Sequence, residues 1–169
     1  MHSQRRNLVE RCSDLSGRCV AWLTLFMVIM TFVIVVLRYL FDVSAIWLQE
    51  SLIWMHATVF MVGAAYTLLH EGHVRVDVFY RSMTARQQAW VDVLGVLLLL
   101  LPVCIFLAWK SYGFALASWA MHEASRESGG LPYPVLPIVK LVLLVMPLMV
   151  AAQGVSMLLR SIAVLRRGE

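Results

Sequence analysis

WVDVLGVLLLLLPVCIFLAW, running from Trp90 to Trp109, is an apolar run bracketed by two tryptophans. Its two tryptophans stand about 19 residues apart, roughly 28 Å along an α-helix, which matches one crossing of a bilayer's hydrocarbon core. Tryptophan belongs at the membrane interface, where one edge of the ring is apolar and the other wet, so the pair marks both ends of a span. Working outward, three further stretches have the same length and almost no charge: residues 19–37, 47–69 and 136–159, alongside 91–109. The chain of 169 residues is 61% hydrophobic and 14% charged, with a mean hydropathy of +0.79, a balance that a soluble domain of this size does not keep in solution. The reading is an all-α integral membrane protein, one membrane domain over residues 1–169 with four transmembrane helices.

Arginine and lysine then orient the spans, because cytoplasmic loops retain positive charge. Arg5, Arg6, Arg11 and Arg18 precede the first span; Arg75, Arg81 and Arg86 lie between the second and third; Arg160, Arg166 and Arg167 end the chain. The other two links hold only Arg38, Lys110, Arg126 and, at the edge of the fourth span, Lys140. Both termini and the loop at about 70–90 are therefore placed in the cytoplasm of a bacterial cell, the membrane being the inner one, and the segment at about 110–135 in the periplasm. The first apolar run has the basic flank of a signal peptide, but it is too long and lacks a small-residue cleavage site, so it reads as a retained anchor. The sequence pI of about 9.3 does not imply nucleic acid, since the basic residues are spread over three juxtamembrane segments rather than gathered on one face. Cys12, Cys19 and Cys104 fall in cytoplasmic or membrane positions and lack the spacing of a zinc site, so neither a disulfide nor a metal is expected of them.

Between the first two spans the link is short and permits only an antiparallel hairpin, with Asp42 and Ser44 as its turn residues. Residues 5–18 mix charge with Leu8, Val9 and Leu15, compatible either with a cytoplasmic extension of the first helix or with a segment lying on the membrane. The third helix is expected to run past Lys110 through Tyr112, Phe114, Leu116, Trp119 and Met121, without a breaker until Gly129 and Gly130, as an amphipathic extension into the periplasm. Pro132, Pro134 and Pro137 make the turn and re-entry, while Pro102 and Pro147 predict mild kinks inside spans.

Among ionisable residues, Glu50 lies about one turn into the second span and Arg38 ends the first, so the hairpin brings both to one membrane face. An interface-level salt bridge that locks the hairpin or docks another subunit is the preferred reading over an ion or proton site. His56 sits near the middle of a span with no second histidine to face it as a haem ligand, which leaves a buried histidine bonded to Ser, Thr or a carbonyl. The run from His70 through His73 to Asp77 gathers metal-capable groups at nonspecific spacing, and a structural turn is preferred there. Gly63 with Thr67, and Ala151 with Gly154, are small enough for close helix approach, within the chain or between subunits. No catalytic motif is present, no cofactor is implied, and the chain does not read as an enzyme.

At these residues the chain resembles the small, DctQ-like membrane subunit of TRAP transporters, the tripartite ATP-independent periplasmic type. Arg38-Tyr39-Leu40-Phe41 followed by Trp47 and Glu50 resembles the family's RY-F…W-xx-E signature at the first hairpin. Gly63-Ala64-Ala65 followed by His73-Val74-Arg75-Val76-Asp77 is similar to its second block. Gly129-Gly130-Leu131-Pro132-Tyr133, Pro137, Lys140, Pro147, Gln153-Gly154 and Arg160 are similar to its last helix and the approach to it. The departure is at Glu50, where many members carry a second acidic residue and this chain has Gln49 and Ser51 as neighbours. The resemblance implies a symport system in which a large multi-span subunit holds the substrate and sodium sites and moves elevator-fashion. A periplasmic substrate-binding protein delivers an organic acid, and the small subunit enlarges the stationary scaffold, surrounded by membrane lipids. It also implies structural or subunit-interface roles for Arg38, Tyr39, Trp47, Glu50, Gly63, His73, Asp77, Gly130, Pro132, Lys140 and Gln153. Two competitors from other classes are a haem- or quinone-binding anchor of a respiratory complex and a small stand-alone exporter using Glu50.

Overall fold

The computed structural model describes residues 8–70, 80 and 82–167. Within them the chain is all-helical, and four helices are long and apolar enough to cross a membrane. The first is α1 (Leu8–Leu40), 33 residues without interruption and about 50 Å long, well beyond a bilayer's hydrocarbon thickness. The segment from Leu8 to Arg18 is thus a continuation of the first helix, which settles for those residues what their composition left open. Asp42 adopts a left-handed φ of 53°, a conformation its short polar side chain tolerates, and the chain turns straight into α2 (Ile46–Leu69).

The third crossing is composite. Helix α3 (Ala85–Gly95) begins at a capping box in which the Thr84 hydroxyl accepts from the Gln87 N–H while the Gln87 side chain accepts from the Thr84 N–H. It passes through a π turn, Val96–Leu100, into α4 (Leu101–Ala120). The wide turn has a cause in the sequence: Pro102 has no N–H to give and its ring crowds the preceding turn, so Leu101 bonds back to the Val96 carbonyl instead. The crossing continues past Lys110 but stops at Ala120, not at the glycines expected to break it. His122 takes a φ of 50°, its N–H reaching the Trp119 carbonyl at 3.2 Å and the Glu123 N–H the Ser118 carbonyl at 3.1 Å. That is a Schellman closure with histidine in the place usually held by glycine. Gly129, at φ 80°, serves the loop that follows. A short helix, α5 (Val135–Lys140), leads through Leu141 into α6 (Val142–Arg167).

Helix α6 is the element the others share: α2, α3 and α4 lie along it, and α1, besides pairing with α2, touches it too. The interior is narrow and made of small or polar side chains, among them Ser13, Ala65, Ala89, Ala115, Ser118, Gln153 and Ser156. Small residues let helix backbones approach closely where lipid provides no hydrophobic drive between helices. At Gly154 an added Cβ would come within 2.5 Å of Leu100 Cδ2, so the π turn and this glycine meet. Large apolar residues such as Val28, Phe32, Leu98, Leu99 and Ile105 are on the outside, as a lipid solvent requires.

Candidate functional site

Antiparallel crossings give the bundle two ends, and the polar groups are tied together at both. At the end carrying the α1–α2 hairpin, Glu50 is the centre of a clasp. The Ser125 hydroxyl donates to one carboxylate oxygen, and the Leu131 backbone N–H donates to the other at 2.7 Å. The loop closes on itself as well, with the Ser125 N–H on the Leu131 carbonyl at 2.9 Å and the Glu127 N–H on Ser125 Oγ at 3.1 Å. Gly130 is required there, because a Cβ at that position would collide with Ser125 and lie 2.8 Å from Glu50 Oε2. Glu50 thus fastens the loop between the third and fourth crossings onto α2. Arg38 is exposed and makes no ion pair among the described residues, so the anticipated Arg38–Glu50 bridge is replaced by this clasp.

Beside it, Lys140 is 6% exposed at the end of α5, with its ammonium 2.5 Å from Glu123 Oε2 and 4.1 Å from the centre of the Phe114 ring. Salt bridge and cation–π contact together compensate its desolvation. Donation by Lys140 holds the Glu123 carboxyl below its ordinary range. The α4–α5 connection is therefore pinned twice, by Glu50 and by Lys140.

At the arginine-rich end, Glu10 is 6% exposed on α1 and faces α6, accepting from the Ser156 hydroxyl at 3.2 Å and pairing with Arg160 at 3.2 Å. Asp14 meets Arg18 at 3.2 Å and His70 at 3.0 Å, joining the start of α1 to the end of α2. Above that pair the Tyr66 ring lies directly on Gly17, which leaves no room for a Cβ. Tyr80 donates to both oxygens of Asp92, at 3.1 and 3.0 Å.

Of the residues singled out from sequence, Glu50, Gly130 and Lys140 are brought together with Ser125 and Glu123. Tyr39, Trp47 and Pro132 lie exposed at the same end. Gly63 is at the other half of α2 with nothing within 4 Å of an added Cβ, so close packing within the chain is excluded there; the intimate contact on α2 is Tyr66 against Gly17. Gln153 is 1% exposed on α6, and neither amide atom has a hydrogen-bond partner among the described residues. His73 and Asp77 lie outside the described residues. His56, expected to be buried and bonded, is instead exposed, its ring 5.0 Å from that of Phe60. The arginine-rich end was missed, although a signal existed: Glu10, Ser13 and Gly17 on α1, like Gln153, Ser156 and Arg160 on α6, repeat as i, i+3, i+7, a polar or small stripe on an apolar helix.

Four crossings, lipid-suited outer faces and ionisable groups secured in pairs at both ends define a multi-pass membrane protein. More specifically, the chain belongs to the DctQ component family of the tripartite ATP-independent periplasmic transporters, whose family model matches residues 27–164. It is the small membrane subunit of a TRAP transporter, and membership implies association with a large membrane subunit and a substrate-binding protein. Searches of curated proteins and of solved structures returned no match.

Proposed function

We propose that this chain is the non-catalytic small permease subunit of a sodium-coupled TRAP uptake system of the bacterial inner membrane. In this reading it stays still, as scaffold for the large elevator-type subunit, while a periplasmic binding protein delivers an organic acid. The observation that carries the reading is the fastening of both ends: Glu50 and Lys140 secure one, Glu10 and Asp14 the other. A moving transport element needs broken helices and polar groups around a midplane site. A bundle whose carboxylates each tie one element to another suits the stationary role. The arginine distribution supports cytoplasmic termini, which puts the Glu50 end and the end of α4 in the periplasm, where the binding protein docks. The respiratory-anchor alternative gains no support from His56, which is on the outer face of α2 rather than between helices.

Reconstitution in liposomes tests this. Uptake of the carried acid is expected only with the large subunit, this chain, the binding protein and an inward sodium gradient all present. Transport by this chain alone, or uptake unchanged when it is omitted, overturns the proposal. A tagged pull-down from native membranes is expected to recover a large hydrophobic partner rather than a flavoprotein or an iron–sulfur subunit.

A further inference from the structure

Helices α1 and α2 are equally little buried by their own chain, yet they differ as lipid-facing surfaces: α1 is among the most apolar of the four crossings and α2 is the least. One stripe on α2 carries part of that difference. Ile53, His56, Phe60, Gly63 and Thr67 follow one another at alternating steps of three and four residues, so they share a single helix face. Ile53 and Phe60 are 65% and 67% exposed, and His56 is exposed between them. His56 lies near the midpoint of the 24-residue α2, about 15 Å along the helix and so close to the centre of a bilayer. Ser51, Thr58 and Thr67 satisfy their hydroxyls on the carbonyls of Trp47, Trp54 and Gly63, one turn back in their own helix. The imidazole has no hydrogen bond among the described residues, only the Phe60 ring. Below it the stripe hollows into a groove of about 490 Å³ between α1 and α2, lined by Val20, Ala21, Val59, Gly63, Ala64 and Tyr66 among others.

We propose that this face of α2 docks against a transmembrane helix of the large membrane subunit, with His56 hydrogen-bonded to a polar side chain of that helix at mid-membrane depth and a bulky side chain seated in the recess over Gly63. The proposal rests on the scaffold reading above and adds where the scaffold attaches. An acyl chain offers the imidazole N–H no acceptor, so lipid leaves it fully desolvated. A soluble partner does not reach that depth, and only a helix brings its own backbone groups already satisfied. A second copy of this chain presents the same hollow, and two hollows facing each other do not fill.

The test is photo-crosslinking in native membranes with the large subunit co-expressed. A benzophenone side chain is placed at Ile53 or Phe60, and at Leu99 or Ile105 on the third crossing as controls. Adducts to the large subunit are expected from 53 and 60, about tenfold above 99 and 105. His56→Leu and Gly63→Leu are expected to lower recovery of the complex about tenfold while the free chain still purifies monodisperse, and His56→Gln to restore most of it. Adducts from the controls instead, with an intact complex, overturn this face and leave the scaffold reading standing. Adducts of the chain to itself, or to no protein within an intact complex, also overturn it. If no large subunit co-purifies with the unaltered chain, the scaffold reading itself fails.

Discussion

Glu50 holds a hydroxyl with one oxygen and a backbone N–H with the other, so the isosteric Glu50→Gln change tests the clasp without altering volume. The amide keeps one acceptor and presents an NH₂ where a donor already points. A loss of about 1–3 kcal/mol is expected, read as a lower melting temperature of the detergent-solubilised chain. An unchanged melting temperature would mean the loop holds itself. Glycines make a paired prediction. Gly130→Ala meets Ser125 and Glu50 in a part-buried loop and is expected to destabilise by about 1–3 kcal/mol, whereas Gly63→Ala meets open space and is expected to leave the free chain's melting unchanged or slightly improved. Both glycines and Glu50 stood out in the sequence. Their partners did not, because Ser125 is separated from Glu50 by 75 residues and nothing in local spacing links them.

Elements are joined by groups that were legible only as charges. Glu123 and Lys140 tie the end of α4 to α5, and the lowered Glu123 carboxyl turns that tie into a pH dependence. A carboxyl held below its ordinary value of 4.5 contributes stability that is present above that value and lost as pH falls through the lowered one. The melting-temperature gap between the unaltered chain and Glu123→Gln is therefore expected to be constant near neutral pH and to close under acid conditions below 4.5; a gap that persists there counts against the ion pair as its source. Helix boundaries show the same division between local and distant causes. The capping box at Thr84-Ala85-Arg86-Gln87 and the π turn before Pro102 follow from neighbouring residues, so a reader of the sequence has the means to find them. The stop at Ala120 has no breaker residue. It comes where the polar groups of the following loop reach partners on α2 and α5, a gain that composition within the helix does not record.

For the whole molecule, orientation is the property that the basic residues argue and a labelling experiment decides. In spheroplasts, a membrane-impermeant maleimide is expected to label Glu127→Cys on the exposed loop beside the clasp and to spare Cys12, which is exposed at the opposite end. The reverse pattern would invert the topology and move the Glu50 end to the cytoplasm. By itself the sequence determined that the chain is helical, that it has four helices able to cross a membrane, and, through blocks at Arg38, Gly63 and Gly129, the family to which it belongs. Each of these depends on short-range pattern: apolar run length, interfacial tryptophans, and motifs read in order. It took the packed helices to show that Glu50 closes on Ser125 and Leu131 rather than Arg38, that Glu10 joins α6, and that His56 is on an outer face. Those outcomes depend on how each helix is rotated about its axis. In a nearly uniform apolar chain, rotation is set by where a few small residues allow backbones to touch and where a few distant polar groups find one another; spacing along one helix, as at Glu10 or Gln153, marks a face but not the partner it meets.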